Sequence, residues 1–305
     1  MRNLVVGGNG FLGSHLVNRL AATGGDVTVF DRFSSPSTGF LPHPNVSTVR
    51  GDFLNADHLA SVVKGHDRVF HFLSSTTPAT ANNDLATEHR RNAVPTLALL
   101  DACVEAAVSR IYFASSGGAV YGDTPAERHG ETDSLHPVSS YGVGKAVIEN
   151  DLRRYHEQFG LDYVVFRIAN AYGPGRFSER GQGLIPIALR RIVRGEPVIQ
   201  YGDGSMVRDY VYVDDVMDMI GQVIEGSPEH RVYNLGSGEG STVREVIDCI
   251  SAVTGQSFDI VMEPPPTPQV QRAVFDTSRL TGEFGPRTLT DLATGIRSTW
   301  ADLVS

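Results

Sequence analysis

The sequence predicts an α/β fold: a doubly wound parallel sheet followed by a smaller C-terminal α/β lobe. Three observations carry this. Short apolar and β-branched runs alternate with helix-period segments from residue 3 to residue 168. A glycine-rich turn joins the first such run to the first helix. The alternation then loosens after Asn170.

Leu4-Val5-Val6 reads as a buried strand and runs into Gly7-Gly8-Asn9-Gly10-Phe11-Leu12-Gly13. Leu12, Leu16 and Leu20 recur every four residues, so a helix begins inside the glycine stretch. Val27-Thr28-Val29-Phe30 is a second strand and ends on Asp31, 18 residues after Gly13. Strand, glycine turn, helix, strand and acid form the fingerprint of a Rossmann-type, dinucleotide-binding βαβ unit. A pyrophosphate needs backbone N–H groups at the positive end of a helix. Gly7 allows the turn, Gly10 lets the backbone approach the phosphates, and Gly13 lets helix and strand pack closely. The Asp31 carboxylate can accept hydrogen bonds from both ribose hydroxyls and would repel a 2′-phosphate. NAD is therefore expected over NADP, a preference that the adjacent Arg32 weakens.

The alternation continues in order. Arg32 to Asn45 is a Ser/Pro/Gly-rich loop, 46–50 a strand, and 57–64 a short helix after Gly51-Asp52-Phe53. Arg68 to Leu73 is a buried strand that ends in the polar loop Ser74-Ser75-Thr76-Thr77-Pro78. One long helix is expected over 84–107, a strand over 110–115, a helix over 139–160 and a strand over 163–168. Ligands of such sheets bind outside the carboxyl ends of the strands, where these polar loops fall.

Beyond a polar loop at 171–182, helices are expected near 184–194, 214–225, 242–254 and 288–300. Strands are expected near 198–201, 210–213 and 231–235, and a stiff extended segment at 263–268. Residues 1–170 are read as the NAD-binding domain, with about 210–235 returning to it. Residues 171–209 and 236–305 are read as the substrate-binding lobe.

Composition narrows the function. Twenty-six basic against 35 acidic residues give a net charge of −9, which argues against nucleic acid as a partner. Cys103 and Cys249 sit in apolar helical patterns and read as reduced core residues, not as a disulfide or a metal site. No apolar run approaches the roughly 20 residues of a membrane span. The first core strand starts near residue 3, leaving no room for a signal peptide. A cytoplasmic protein without membrane contact is expected.

Tyr141-Gly142-Val143-Gly144-Lys145 opens the helix after the fifth strand. Residues four apart share a helix face. A cation beside a phenol favours the phenolate and lowers its pKa from about 10. That would make Tyr141 a general base for a sugar hydroxyl. A Tyr-x-x-x-Lys by itself usually marks a solvated helix face. Its place after the dinucleotide fingerprint favours the chemical reading.

With these motifs the chain resembles an extended short-chain dehydrogenase/reductase of the nucleotide-sugar epimerase/dehydratase group, and is most similar to UDP-galactose (UDP-glucose) 4-epimerases. The resemblance rests on GGNGFLG at 7–13, Asp31, GDF at 51–53, HFLSS at 71–75, Asn92 and SSGGAVYG at 115–122. It continues through YGVGK at 141–145, RIANAYGPG at 167–175 and GDGSMVRDYVYVDD at 202–215. It implies a tightly held NAD, a nucleotide-diphosphate sugar substrate and a homodimer formed through the helices at 84–107 and 140–160. It assigns Gly7, Gly10, Phe11, Leu12, Gly13, Asp31 and Arg32 to the cofactor. Asp52 and Phe53 would hold the adenine. Phe72, Leu73 and Ser74 would line the groove, with Asn92 supporting the loop beneath. Ser115, Lys145 and Ala169 would also touch cofactor. Tyr141, Lys145 and Ser116 would be catalytic, and Thr76, Gly117, Tyr141, Asn170 and Arg208 would meet substrate, Arg208 by gripping the diphosphate. The bland alternative for Arg208 is an ion pair with Asp203 or Asp209.

The chain departs from the family pattern in two places. Gly117 stands where the family carries a catalytic Ser or Thr. Strand alternation would point Ser116 away from that face. An ordered water in the space left by Gly117 is the first candidate donor, Ser116 in a kinked strand the second, and Thr76 or Thr77 the third. Pro266 and Gln269 replace an Arg and an Asp of the nucleotide clamp. Gly118 and Ala119 replace the acid pair of 4,6-dehydratases, which argues against dehydration. A 4-ketoreductase and an inactive NAD-binding regulator are the alternatives to a 4-epimerase.

Overall fold

A computed structural model describes residues 1–34, 39–77, 84–175, 183–264 and 270–305. In chain order the first elements are β1 (Arg2–Val6), α1 (Phe11–Ala22), β2 (Asp26–Asp31), β3 (Val46–Arg50), α2 (Ala56–Val63), β4 (Arg68–His71), α3 (Leu85–Glu88) and α4 (Val94–Glu105). Next come β5 (Arg110–Ser116), α5 (Gly117–Val120), α6 (Ser140–Phe159), β6 (Asp162–Ile168) and β7 (Asn170–Tyr172). The remainder is α7 (Leu184–Val193), β8 (Val198–Tyr201), β9 (Val207–Tyr212), α8 (Val213–Glu225), β10 (Val232–Leu235), β11 (Gly240–Thr242), α9 (Val243–Thr254), β12 (Ile260–Glu263), β13 (Arg272–Ala273), α10 (Ser278–Phe284) and α11 (Leu292–Val304).

The chain divides into two compact units. One comprises 1–116, 139–166 and 230–232; the other comprises 117–138, 167–229 and 233–305. The main sheet has seven strands in the order β10-β6-β5-β4-β1-β2-β3. β1 pairs in parallel with both β2 and β4, so the chain winds outward in both directions from β1. Such a switch point opens a crevice at the strand ends, here between the end of β1 and the end of β4. Leu4, Val6, Phe30, Val69, Leu99, Phe113, Ile148 and Val165 build the core of this unit. The other unit carries a sheet of β11-β9-β13 with β7 on β9, a pair β12-β8, and a core of Tyr172, Ile185, Leu189, Val246, Ile250 and Ile296.

Several elements differ from the sequence expectation, which did not foresee β7, β11, β12 or α10. The long helix at 84–107 is α3 and α4 joined by a π-helical turn, His89–Ala93. Pro95 lacks the N–H that an unbroken α-helix would need there, and Asn92 turns its side chain inward. β5 stops at Ser116, and Gly117 begins the short helical turn α5. The last helix starts at Leu292, where Asp291 caps it by accepting from Thr294 N at 2.9 Å.

Candidate active site

The crevice at the end of β1 is built by glycines where a side chain would collide. Gly7 has φ +85°, and a Cβ there would stand 2.6 Å from Leu73 Cα. A Cβ on Gly13 would stand 2.2 Å from Gly7 O, so only glycine lets α1 lie this close to the turn. No side chain caps α1 and no acid sits in its first turn. That leaves a helix N-terminus disposed toward an anion. Asp31 lies at the carboxyl end of β2, where its carboxylate accepts from Asn9 N at 3.1 Å and Phe33 N at 3.3 Å. These features fit a dinucleotide.

The other expected cofactor residues divide. Arg32, Asp52 and Ser74 are exposed, and Phe11, Leu12, Phe72 and Leu73 are half-buried. Phe53 is only 3% exposed, with its ring 5.1 Å from the His71 ring, so it belongs to the core and can meet a base only through its backbone. Ser115 is likewise turned away: its hydroxyl donates to Glu149 at 2.5 Å. Asn92 fastens the loop after β4, accepting from Ser75 N at 2.8 Å and donating to Thr76 Oγ1 at 3.0 Å. Thr76, expected at the substrate, is buried and donates its hydroxyl to Glu88 at 2.5 Å. Its hydrogen is therefore spent inside the protein.

α6 begins at a Ser139 cap that accepts from Gly142 N at 3.1 Å, and it presents Tyr141 and Lys145 to the end of β5. The Ser116 side chain hydrogen-bonds the Tyr141 side chain. Lys145 Nζ donates to Ala114 O at 2.8 Å and lies 4.6 Å above the Phe113 ring. Burial pushes Tyr141 up to about 12, Ser116 opposing this and Glu88 adding to it. Burial also pushes Lys145 down to about 8, against the carboxylates of Glu88 and Glu149. The expectation that Lys145 alone draws the phenol toward neutrality is corrected: its ammonium serves the Ala114 carbonyl, and desolvation dominates at Tyr141.

The role of Gly117 is also corrected. Strand alternation does not reach it, because the backbone has already turned into α5. The Phe275 ring fills the space beside it, with Cζ 2.7 Å from where a Cβ would stand. There is no gap for a water on that side. The hydroxyl that meets Tyr141 is that of Ser116.

In the second unit, Asn170 opens β7, and Ala169 N donates to Leu235 O at 2.8 Å. Gly118 leaves room for Asn170, whose Oδ1 is 3.3 Å from where a Cβ would stand. Arg208, on β9, is half-buried and donates to the carbonyls of Val207 (2.9 Å) and Gln271 (3.4 Å). It is not held by the two acids considered for it. Asp203 accepts from Ser205, and the buried Asp209 accepts from Ser237 and Gly238. Pro266 and Gln269 lie outside the described residues. Sequence reading missed Glu88 and Glu149, whose only local signal is an acid one helical turn from Asn92 or Lys145, and considered Asp209 only as an ion-pair partner of Arg208. Among the described residues no cluster could hold a metal ion, and no helix is long and apolar enough to cross a membrane.

Comparison with known proteins adds three findings. A family model described as the NAD dependent epimerase/dehydratase family matches residues 3–236. A UDP-glucose 4-epimerase of Mycolicibacterium smegmatis is 32% identical, covering 98% of this chain and 97% of its own. Two solved UDP-glucose 4-epimerases superpose with TM-scores of 0.92. One, from Thermotoga maritima with UDP-glucose, is 31% identical, and one, from Thermus thermophilus with NAD, is 32% identical; each covers 100% of this chain and 99% of its own.

Proposed function

The chain belongs to the NAD dependent epimerase/dehydratase family, and from that premise we propose that it is an NAD-dependent nucleotide-sugar 4-epimerase. The observation that carries this is the buried Tyr141 phenol at the end of β5, hydrogen-bonded to Ser116 and one helical turn from Lys145. Bound NAD supplies the hydride acceptor and a positive charge that favours the phenolate. Tyr141 takes the proton of the sugar 4-hydroxyl as the C4 hydride departs. Ser116 donates to the 4-oxygen as it becomes a carbonyl, where a fixed donor acts on developing charge. Lys145 keeps the ribose and the phenol in register. Once the hydride had returned to the other face of the sugar, Tyr141 would give its proton back to the 4-oxygen.

Gly7, Gly10, Gly13 and Asp31 hold the dinucleotide in this reading, with Arg32, Asp52, the Phe53 backbone, Phe72, Leu73, Ser74 and Ala169 around it. Asn170 and Arg208 grip the nucleotide sugar. Gly118 and Ala119 supply no acid or base for C5–C6 chemistry, which disfavours dehydration. UDP-glucose and UDP-galactose are the first pair to test. Incubation with UDP-galactose and no added cofactor should yield UDP-glucose. A strict need for added NADH or NADPH, with net reduction of a 4-keto sugar, would mark a ketoreductase instead.

The homodimer belongs to the same proposal. Val94 and Leu97 on α4 are 57% and 36% exposed, apolar groups on one of the helices expected to pair. Light scattering at micromolar concentration should give twice the chain mass. A cytoplasmic setting, where both NAD and sugar nucleotides are made, completes the reading.

A further inference from the structure

One buried acid has no part in the chemistry above. Glu88 ends α3 and is 2% exposed. Its Oε2 accepts from the Thr76 hydroxyl at 2.5 Å, and its Oε1 accepts from Asn92 Nδ2 at 2.8 Å. Asn92 also binds Ser75 N at 2.8 Å. Acid, amide and hydroxyl thus tie the loop after β4 to the π-helical turn. The opposite side of Glu88 lies against α6. A Cβ on Gly144 would stand 2.5 Å from Oε1 and 2.7 Å from Cγ of Glu88. The acid is seated in the gap that Gly144 leaves between Tyr141 and Lys145.

We propose that Glu88 is a positioning residue for proton transfer: seated on Gly144, it clamps the Ser75–Thr76 loop to α6 and sets its negative charge beside both Tyr141 and Lys145. This rests on Tyr141 being the base. Tyr141 meets Ser116 from β5 and Glu88 from α3. Lys145 meets Glu88, Glu149 on its own helix and the buried His71 on β4. Glu88 is the acid common to both. Its charge opposes loss of the phenolic proton and favours the ammonium, so it raises both groups. A neutral side chain of the same size should let both titrate lower. An acid suits the position because both of its partners donate, whereas an amide would turn an N–H toward one of them.

The test uses the NAD-loaded protein with Glu88→Gln. The ¹³Cζ resonance of Tyr141, assigned through Tyr141→Phe, should titrate at lower pH than in wild type. The acid limb of the pH–rate profile for nucleotide-sugar turnover should move the same way. A Tyr141 titration and acid limb unmoved in a folded Glu88→Gln protein would overturn the proposal. If the resonance moves while wild type turns over no nucleotide sugar, the positioning role stands and the epimerase reading fails. Gly144→Ala provides an independent variant, because its methyl displaces Glu88. Its effect on the Tyr141 resonance should match that of Glu88→Ala and should vanish when Glu88 is already Ala. Independent, additive effects of the two substitutions would overturn the seat.

Discussion

The Phe275 ring occupies the space that a side chain at residue 117 would need, its Cζ 2.7 Å from the position of a Cβ on Gly117. Phe275 is 1% exposed, and its N–H is directed to Asp209. The ring cannot withdraw without breaking packing, and so position 117 must stay bare. In the proposed mechanism this leaves the Ser116 hydroxyl, not a side chain at 117, to meet the 4-oxygen.

Gly117→Ser should therefore fail to improve turnover and should lower stability by about 1–3 kcal/mol, the usual cost of overpacking. Urea denaturation measures the second quantity. Ser116→Ala should reduce kcat by roughly 10²–10³-fold, as for a lost oxyanion donor. A Ser116→Ala enzyme within about threefold of wild type would remove Ser116 from the mechanism.

Tyr141→Phe should leave the fold and bound NAD intact while lowering turnover by about 10²–10⁴-fold, since it deletes only the proton acceptor. Cofactor retained after gel filtration, read by absorbance, separates this outcome from simple unfolding.

Lys145 makes the protein less stable as pH falls. Its folded pKa, about 8, lies below the unfolded value of 10.5, because burial disfavours the ammonium. Between these values the unfolded chain binds the extra proton, so stability should fall as pH drops through that window and level off below about 8. Lys145→Met should flatten this slope and raise the melting temperature near neutral pH while abolishing turnover. A melting temperature with the wild-type slope in Lys145→Met would show that the slope arises elsewhere.

Asp31→Ala should narrow the preference for NAD over NADP, because the carboxylate at the end of β2 is the group that would repel a 2′-phosphate. Calorimetric titration of apo-protein with both cofactors measures the gap. Equal affinities in wild type would contradict the assignment of Asp31 to the ribose.

Much of the site was legible in the chain because it is local. The Gly7–Gly13 turn lies within one βαβ unit, and the strand before it and the acid after it can be read from apolar period alone. Tyr141 and Lys145 share a helix face by their spacing of four. The glycine-lined crevice, the Tyr141–Lys145 pair and the alternating parallel sheet follow from these short-range patterns. Tertiary structure decided the rest. Phe275 comes to Gly117 from far along the chain, ending the case for a water there. Glu88 on α3 meets Gly144 on α6, distant in the chain but in direct contact once folded. The π turn that aims Asn92 depends on that loop being present to receive it. No local period encodes such contacts, because each exists only once distant segments have packed, and a single ångström of packing decides whether a glycine is an open space or an occupied one.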